Sequence, residues 1–246
     1  LGGTAQPGVE VLAVDRGPGI TYVGRALEDG YSTGGTSGAG LGAVRRVSSE
    51  FDLFSTPERG TVLYARIHPA DARGAAAAHP LDVGVVCLPI PGEQACGDGW
   101  SVYVRGTEVS LCVVDGLGHG PAAAAAAEAA LESYRRTSGA QPPAAGVQVA
   151  HEVLRSTRGA AMAVARLDRG RRTLRFAGVG NIVASVHQGA GSRSMASVNG
   201  TVGLQIRTVQ EYDYEWPAGA IVVMHSDGLS ARWKLEDYPG LFARPA

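Results

Sequence analysis

The sequence predicts an α+β protein whose main part is an antiparallel β-sandwich flanked by helices. Three observations support this prediction: short apolar segments recur from residue 82 onward, turn residues separate neighbouring segments at hairpin distance, and only a few stretches have helical periodicity. The 246 residues, 45% of them hydrophobic, are enough for one large domain or two small ones with an apolar core. A wholly disordered chain is therefore excluded.

The first 69 residues predict a smaller α/β unit. Alternating segments at 9–14 and 61–67 predict strands, and residues 41–51 predict a helix after a glycine-rich stretch at 34–42. Residues 70–81 have no periodic apolar face and have the composition of a linker. Because the chain begins at Leu1 and reaches a strand almost at once, we expect this unit to be part of a larger domain.

The second domain is predicted to span residues 82–246. Alternating apolar segments predict its strands, at 83–90, 100–105, 108–114, 161–167, 173–179, 182–187, 208–216 and 220–225. Two helices are predicted, at 121–137, which opens with proline and is dense in alanine, and at 147–156. Turn residues after positions 105, 168 and 187 predict antiparallel neighbours.

Charge and cysteine content restrict the function. The chain has 22 basic and 23 acidic side chains and no block of like charges, which argues against a nucleic-acid partner. No run approaches the ~18 apolar residues of a membrane span, and no signal region opens the chain. Cys87, Cys96 and Cys112 lack C-x-x-C spacing, so we predict neither a disulfide framework nor a zinc site. We expect a cytoplasmic protein without a membrane partner; its oligomeric state stays open.

Three aspartates are candidate metal ligands. Asp115 and Asp227 each follow an apolar segment and precede a glycine, Gly116 or Gly228, and Asp98 stands just ahead of the hairpin that leads to Asp115. A carboxylate at the end of an apolar strand is costly to desolvate unless a cation or hydrogen bonds meet it. Hard divalent cations prefer such oxygen ligands, and glycine lets the backbone approach them. The alternative is that the Asp-Gly pairs are simply turns.

These aspartates stand in three motifs that carry a family resemblance. The motifs are Gly97-Asp98, then Asp115-Gly116-Leu117-Gly118-His119-Gly120 before an alanine-rich helix, then Ser226-Asp227-Gly228-Leu229. In this order they resemble the SpoIIE-type branch of the metal-dependent protein phosphatases, and within it the RsbX-type phosphatases of the bacterial stressosome. The resemblance implies the metal-dependent phosphatase fold and hydrolysis of phosphoserine or phosphothreonine on a protein.

The resemblance also implies a role for each motif residue. Asp115 would bridge two Mn²⁺ or Mg²⁺ ions, Asp98 and the carbonyl of Gly116 would hold one of them, and Asp227 the other. The three aspartates are then the catalytic residues, and no side-chain nucleophile is required. The family's remaining metal aspartate lies in a terminal motif that this sequence does not reach. We therefore expect a truncated C-terminal end, and whether the second ion site is complete stays open.

Two histidines near these motifs allow further hypotheses. His119 follows the first metal strand, where it either donates a proton to the leaving serine oxygen or hydrogen-bonds a metal-bound water. The alternative is that it caps or positions the helix that begins at Pro121. The contiguous residues His225, Ser226 and Asp227 look like a triad, but neighbouring side chains of a strand point to opposite faces, so we predict that they do not act as one. Cys112 alternates within a buried strand and is predicted to be inert core.

A second resemblance lies in the first unit. Val14-Asp15-Arg16-Gly17-Pro18-Gly19-Ile20 and the glycine-rich residues 29–46 resemble the C-terminal half of the GHKL-type ATPase fold, specifically the RsbT-type serine kinases. The resemblance implies that Asp15 hydrogen-bonds an adenine amino group and that glycines form the phosphate-facing lid. The implied nucleotide-binding residues are Asp15, Gly17, Gly19, Gly38, Gly40 and Gly42. The Mg²⁺-holding half lies upstream, so ATP is expected only in an intact N-terminal domain.

Together the two resemblances imply a bacterial stress-response regulator. Its implied partner is a phosphorylated regulatory protein of the STAS type, such as an anti-sigma-factor antagonist, from which phosphate would be removed. Two alternatives stay open. The phosphatase fold could serve as a noncatalytic scaffold, or the N-terminal unit could act as an ATP-dependent serine kinase or anti-sigma regulator.

Overall fold

The computed structural model describes residues 8–32, 35, 37–69, 81–137, 139–189, 191–230, 232–238 and 240–244. These residues divide into two compact units, one drawn from 86–239 and the other from 4–85 and 240–246. Most of the predicted linker, at 70–80, and positions 34 and 36 of the glycine-rich stretch lie outside the described residues. Within the described part of the chain, no helix is long and apolar enough to cross a membrane.

The smaller unit is a three-stranded antiparallel sheet with two helices. Its elements are β1 (Val9–Asp15), α1 (Val23–Ala26), α2 (Gly40–Val47), β2 (Glu50–Thr56) and β3 (Gly60–Ile67). The strand order is β1-β3-β2, and the predictions at 9–14 and 61–67 are confirmed. The helix predicted at 41–51 ends at Val47, because Ser48 turns extended and Phe51 enters β2, a strand that the sequence analysis missed.

The larger unit is built from two antiparallel sheets. Its longer strands are β4 (Asp98–Arg105), β5 (Glu108–Gly116), β6 (Ala160–Asp168), β7 (Thr173–Val179), β8 (Val183–Gln188), β9 (Gly191–Ser194), β12 (Tyr212–Glu215) and β13 (Ile221–His225). A short ladder joins β10 (Gly200–Thr201) to β11 (Gln205–Ile206). The five-stranded sheet has the order β12-β7-β6-β5-β4 and the three-stranded sheet the order β13-β8-β9. The predicted α+β class and antiparallel pairing are confirmed.

Two helices cover one face of the five-stranded sheet. They are α3 (Pro121–Arg136) and α4 (Pro143–Leu154), and each has proline in its first turn, where the missing N–H costs no hydrogen bond. Ala126, Ala130 and Leu131 of α3 are buried in one cluster with Val114 of β5 and Val164 of β6. The small alanine side chains let α3 lie close to the sheet.

Two predicted strands of this unit are wrong or too long. Residues 81–90 form no helix or strand, and Val86, Leu88 and Ile90 of this segment are exposed. The alternation that predicted a strand at 83–90 is present, but among the described residues no strand pairs with it. The strand predicted at 208–216 is reduced to β12, since only Tyr212–Glu215 pairs with β7.

Candidate metal centre

The β4–β5 hairpin places two carboxylates opposite each other. Asp98 is the first residue of β4 and is the direct antiparallel partner of Asp115 near the end of β5. The amide of Gly116 donates a hydrogen bond of 3.0 Å to the carbonyl of Gly97, which extends the pairing beyond the aspartates. Directly opposite residues in such a ladder have Cβ atoms ~4.5–5.5 Å apart, so both side chains lie on one face.

Asp227 reaches the same place from the other sheet. It lies two residues beyond the end of β13, and its neighbour Ser226 donates a 2.7 Å hydrogen bond from Oγ to Oδ2 of Asp98. Asn181, just before β8, donates from Nδ2 to Oδ2 of Asp227 at 3.2 Å. The structure thus brings Asp98, Asp115 and Asp227 together although 129 positions separate the first from the last.

The electrostatics of the three carboxylates are unfavourable without a cation. Burial, and then the negative charges of Asp98 and Asp227, raise the pKa of Asp115 to about 6. A hydrogen bond with Asp98 acts in the same direction, whereas one from Asn181 opposes it. A cation would remove this repulsion, and a site of three carboxylates and the Gly116 carbonyl offers only oxygen ligands, which fits Mg²⁺ or Mn²⁺ better than zinc.

The side chains are near one another but are not arranged around one point. Among the described residues, no three His, Cys, Asp or Glu side chains already have their donor atoms gathered as around an ion. Ser226 holds one oxygen of Asp98, and Asn181 holds one oxygen of Asp227. Ser226 and Asn181 thus orient two of the three carboxylates, whose donor atoms are not yet gathered around one point.

The glycines of the motifs serve the packing of α3 against the hairpin. A Cβ at Gly116 would overlap the carbonyl oxygen of Ala123, and one at Gly97 would lie 3.1 Å from the Ala123 Cβ. These glycines allow the helix to touch the strand ends that carry the aspartates. Gly228 has no such role, because a Cβ there would meet nothing nearer than Ser226 Oγ, at 3.6 Å.

His119 is held by a residue that the sequence analysis missed. Its Nδ1 lies 2.6 Å from Oε1 of Glu93, and because a carboxylate only accepts, the ring donates here. The N-cap of α3 is Gly120, and no side chain caps this helix, so the hypothesis that His119 caps it is wrong. Glu93 is 26 positions away from His119, and no motif of the sequence indicated the pair. The proton-donor role of His119 stays a prediction.

The predicted absence of a local triad is confirmed. His225 Nδ1 lies 2.7 Å from the backbone carbonyl of Ser226, whereas the Ser226 hydroxyl points to Asp98. Histidine and serine side chains of this segment therefore do not form a nucleophile and base pair.

Two of the three cysteines are in contact, although their spacing in the sequence did not indicate this. Cys87 and Cys96 have their Sγ atoms 3.4 Å apart, and Cys87 Sγ lies 3.6 Å from the carbonyl oxygen of Asp98. Burial, and then the hydrogen bond to Cys96, raise the pKa of the Cys87 thiol to about 11. Cys112 is buried in β5, as predicted, and burial raises its pKa.

The smaller unit contains a cavity of about 490 Å³ at the predicted nucleotide site. Gly19, Gly38 and Gly40 line it, together with the aromatic rings of Tyr22 and Tyr31. The two tyrosines were not singled out from the sequence.

The other three predicted nucleotide-binding residues do not line this cavity. Asp15 accepts a 2.7 Å hydrogen bond from the amide of Gly17, which closes a local turn. Gly42 is needed for close packing, since a Cβ there would lie 2.7 Å from Oδ1 of Asp29.

The two antiparallel sheets, the covering helices and the converging aspartates define the metal-dependent phosphatase fold. The crystal structure of RsbX in complex with magnesium has this fold and superposes with a TM-score of 0.56 at 20% identity, over 60% of this chain and 74% of that one. The chain belongs to the SpoIIE family, because the family model of Stage II sporulation protein E matches residues 105–238. The predicted SpoIIE-type resemblance is thereby confirmed.

Two further relatives are similar to this chain. A structure described as the bacterial stressosome, a modular system adapted to control secondary messenger signaling, superposes with a TM-score of 0.59 at 32% identity, over 63% of this chain and 81% of that one. The serine/threonine-protein kinase RsbT of Bacillus subtilis (strain 168) is 45% identical over 58 residues, 24% of this chain. The chain spans 44% of that curated relative's length.

Proposed function

We propose that this protein is a metal-dependent phosphatase that hydrolyses phosphoserine or phosphothreonine on a bacterial regulatory protein. The convergence of Asp98, Asp115 and Asp227 at the ends of apolar strands carries the proposal. Membership of the SpoIIE family and the fold shared with magnesium-bound RsbX support it.

The three aspartates would together hold two Mn²⁺ or Mg²⁺ ions. Asp115 lies between Asp98 and Asp227 electrostatically, since both raise its pKa, and this position suits a bridging carboxylate. Asp98 and the Gly116 carbonyl would serve one ion and Asp227 the other. Divalent cations bound there supply Lewis-acid chemistry, which makes water nucleophilic near neutral pH and neutralises charge on the transferred phosphoryl group.

Other residues would orient these ligands and donate a proton to the leaving group. Ser226 and Asn181 each donate a hydrogen bond to one carboxylate and so restrict its rotation. Glu93 orients the ring of His119 through Nδ1. Nε2 of the protonated ring would then donate a proton to the leaving serine or threonine oxygen.

The substrate is proposed to be a phosphorylated STAS-type protein of a stress-signalling assembly that controls a sigma factor. This proposal draws on the stressosome structure and on the RsbT relative.

A cavity in the smaller unit supports a second proposed activity, the binding of a nucleotide. The cavity is lined by glycines, and its volume of about 490 Å³ is typical of small-molecule sites. We propose that this cavity holds the base and phosphates of ATP.

Phosphate release tests the proposal. With a phosphoserine peptide or p-nitrophenyl phosphate, we expect turnover that requires Mn²⁺ or Mg²⁺ and is abolished by Asp115→Asn. Asp213→Asn is the matched control, because the exposed Asp213 carboxylate pairs with the exposed Arg175 side chain and such surface pairs contribute little to stability. Binding of Mn²⁺ without any turnover would favour the noncatalytic scaffold.

A further inference from the structure

A turn brings Cys87 and Cys96 into contact beside the metal centre. The amide of Glu93 donates a hydrogen bond of 3.1 Å to the carbonyl of Ile90, and Gly92, with φ of +93°, takes a backbone conformation that few other residues adopt. This turn reverses the chain between the two cysteines, so that their sulfur atoms are 3.4 Å apart.

The two thiols are close to disulfide geometry. A disulfide has an S–S distance of ~2.05 Å, so the sulfur atoms need to approach by roughly 1.4 Å. Cys87 is exposed and Cys96 half-buried, so a small oxidant in solution can reach the pair. Because the pKa of the Cys87 thiol is raised to about 11 and the thiolate is the reactive form, we expect oxidation to be faster at alkaline pH. Cys112, the third cysteine, is buried in β5 and provides an internal reference for thiols that do not react.

The cysteine pair is connected to the proposed metal ligands through the backbone. Cys87 Sγ contacts the carbonyl oxygen of Asp98, and Cys96 precedes Gly97, whose carbonyl accepts the hydrogen bond from Gly116. Gly97 packs closely against α3, since a Cβ added there would lie 3.1 Å from the Ala123 Cβ. Because Asp98 follows Cys96 by only two residues, we expect a movement of Cys96 toward Cys87 to displace Asp98.

We propose that Cys87 and Cys96 form a reversible disulfide that weakens divalent-cation binding at the adjacent aspartates. Hydrogen peroxide oxidises one thiol to a sulfenic acid and releases water. The second thiol attacks that sulfur, the S–S bond forms, and the sulfenic oxygen leaves as a second water. In total the protein loses two protons and two electrons. A dithiol reductant restores both thiols by exchange.

The covalent step is tested without reference to activity. After peroxide treatment of the reduced protein, non-reducing peptide mapping should show one linked peptide that contains Cys87 and Cys96 and is two hydrogens lighter than the reduced pair. Dithiothreitol should reverse it. Cys112→Ala should leave the linked peptide unchanged, and Cys96→Ser should abolish it. Links between chains, or sulfinic acid at either cysteine without a linked peptide, would overturn the proposal.

The coupling to the metal rests on the proposed function and has its own measurement. Mn²⁺ titration by calorimetry should show affinity weaker by about 10-fold or more in the oxidised protein, as expected for displaced ligand neighbours. The double variant Cys87→Ser, Cys96→Ser should bind Mn²⁺ equally before and after peroxide. Equal affinity of reduced and oxidised wild type would overturn the coupling. If the reduced protein binds no Mn²⁺ at all, the metal-centre proposal fails while the peptide map still decides the disulfide.

Discussion

Asp115→Asn should stabilise the metal-free protein, although the same change removes the proposed bridging ligand. In the folded protein the Asp115 carboxyl has a pKa of about 6 against an ordinary value of 3.8, chiefly because burial and two neighbouring carboxylates disfavour its charge. A group whose pKa is raised by folding contributes stability below its unfolded pKa and loses it as the pH rises through the folded value. The wild-type protein should therefore lose stability between about pH 4 and pH 6.

The size of the effect follows from the same pKa. The rise from 3.8 to about 6 corresponds to about 3 kcal/mol, at ~1.4 kcal/mol for each pH unit. Asp115 is only half-buried, and solvent screening reduces this to about 1–2 kcal/mol. Asparagine has the same shape and offers a hydrogen-bond donor toward Asp98, but it carries no charge. We therefore expect the free energy of unfolding of the variant to exceed that of the wild type by about 1–2 kcal/mol at pH 7.

Urea denaturation with chelator present, at pH 4 and at pH 7, measures this difference. The difference in free energy of unfolding between the two proteins should be small at pH 4 and should reach its full value of about 1–2 kcal/mol at pH 7. Adding Mn²⁺ at 100 times its dissociation constant should stabilise only the wild type, by about 2.7 kcal/mol. A variant less stable than the wild type at pH 7 in chelator, or a gap independent of pH, would refute the electrostatic reasoning.

Three further substitutions probe the packing, the ligand support and the proton donor. Gly116→Ala should lower the free energy of unfolding by about 2–3 kcal/mol in urea, because the new methyl group overlaps the Ala123 carbonyl. Ser226→Ala should weaken Mn²⁺ binding about 10-fold in calorimetry, because Asp98 loses the hydroxyl that orients it. His119→Ala should lower kcat about 100-fold in a phosphate-release assay with unchanged Mn²⁺ affinity.

The glycine and serine substitutions each have a matched control, and all three have an outcome that contradicts the reasoning. Gly228→Ala adds a methyl group that would meet nothing nearer than Ser226 Oγ at 3.6 Å, and it should change the free energy of unfolding by less than about 0.5 kcal/mol. Ser230→Ala removes an exposed hydroxyl of the same loop and should leave Mn²⁺ affinity unaltered. Equal effects of the two glycine variants, or of the two serine variants, would contradict the reasoning. Full activity of the His119 variant would remove this residue from the proposed chemistry.

Local patterns predicted the parts of the fold in which pattern and packing agree. The strand at 173–179 and the start of α3 at Pro121 were predicted to the residue, because alternation and a first-turn proline act within a few positions. The segment at 83–90 has the same alternation yet forms no strand, since pairing depends on a partner elsewhere in the chain. The strand β2 was missed because a helical interpretation of residues 41–51 absorbed its beginning.

The candidate site was predictable to the extent that motifs mark its residues. Asp98, Asp115 and Asp227 each adjoin glycine in an ordered motif, and the structure brings them together. Asn181 and Glu93 adjoin no motif, and their contacts arise only from tertiary folding. The contact between Cys87 and Cys96, nine positions apart, could not be predicted either, because a turn creates it and no cysteine spacing motif marks it.

The pairing of Asp98 with Asp115 makes the length of one hairpin turn decisive for the site. Side chains alternate across a sheet, so a slip of one residue between β4 and β5 would send one aspartate to the opposite face. The turn at Gly106 and Thr107 sets that alignment from the far end of the hairpin. An inserted residue that shifted the register by one position, instead of lengthening the loop, would therefore separate the two acidic groups, so this two-residue turn belongs to the site as much as the aspartates do.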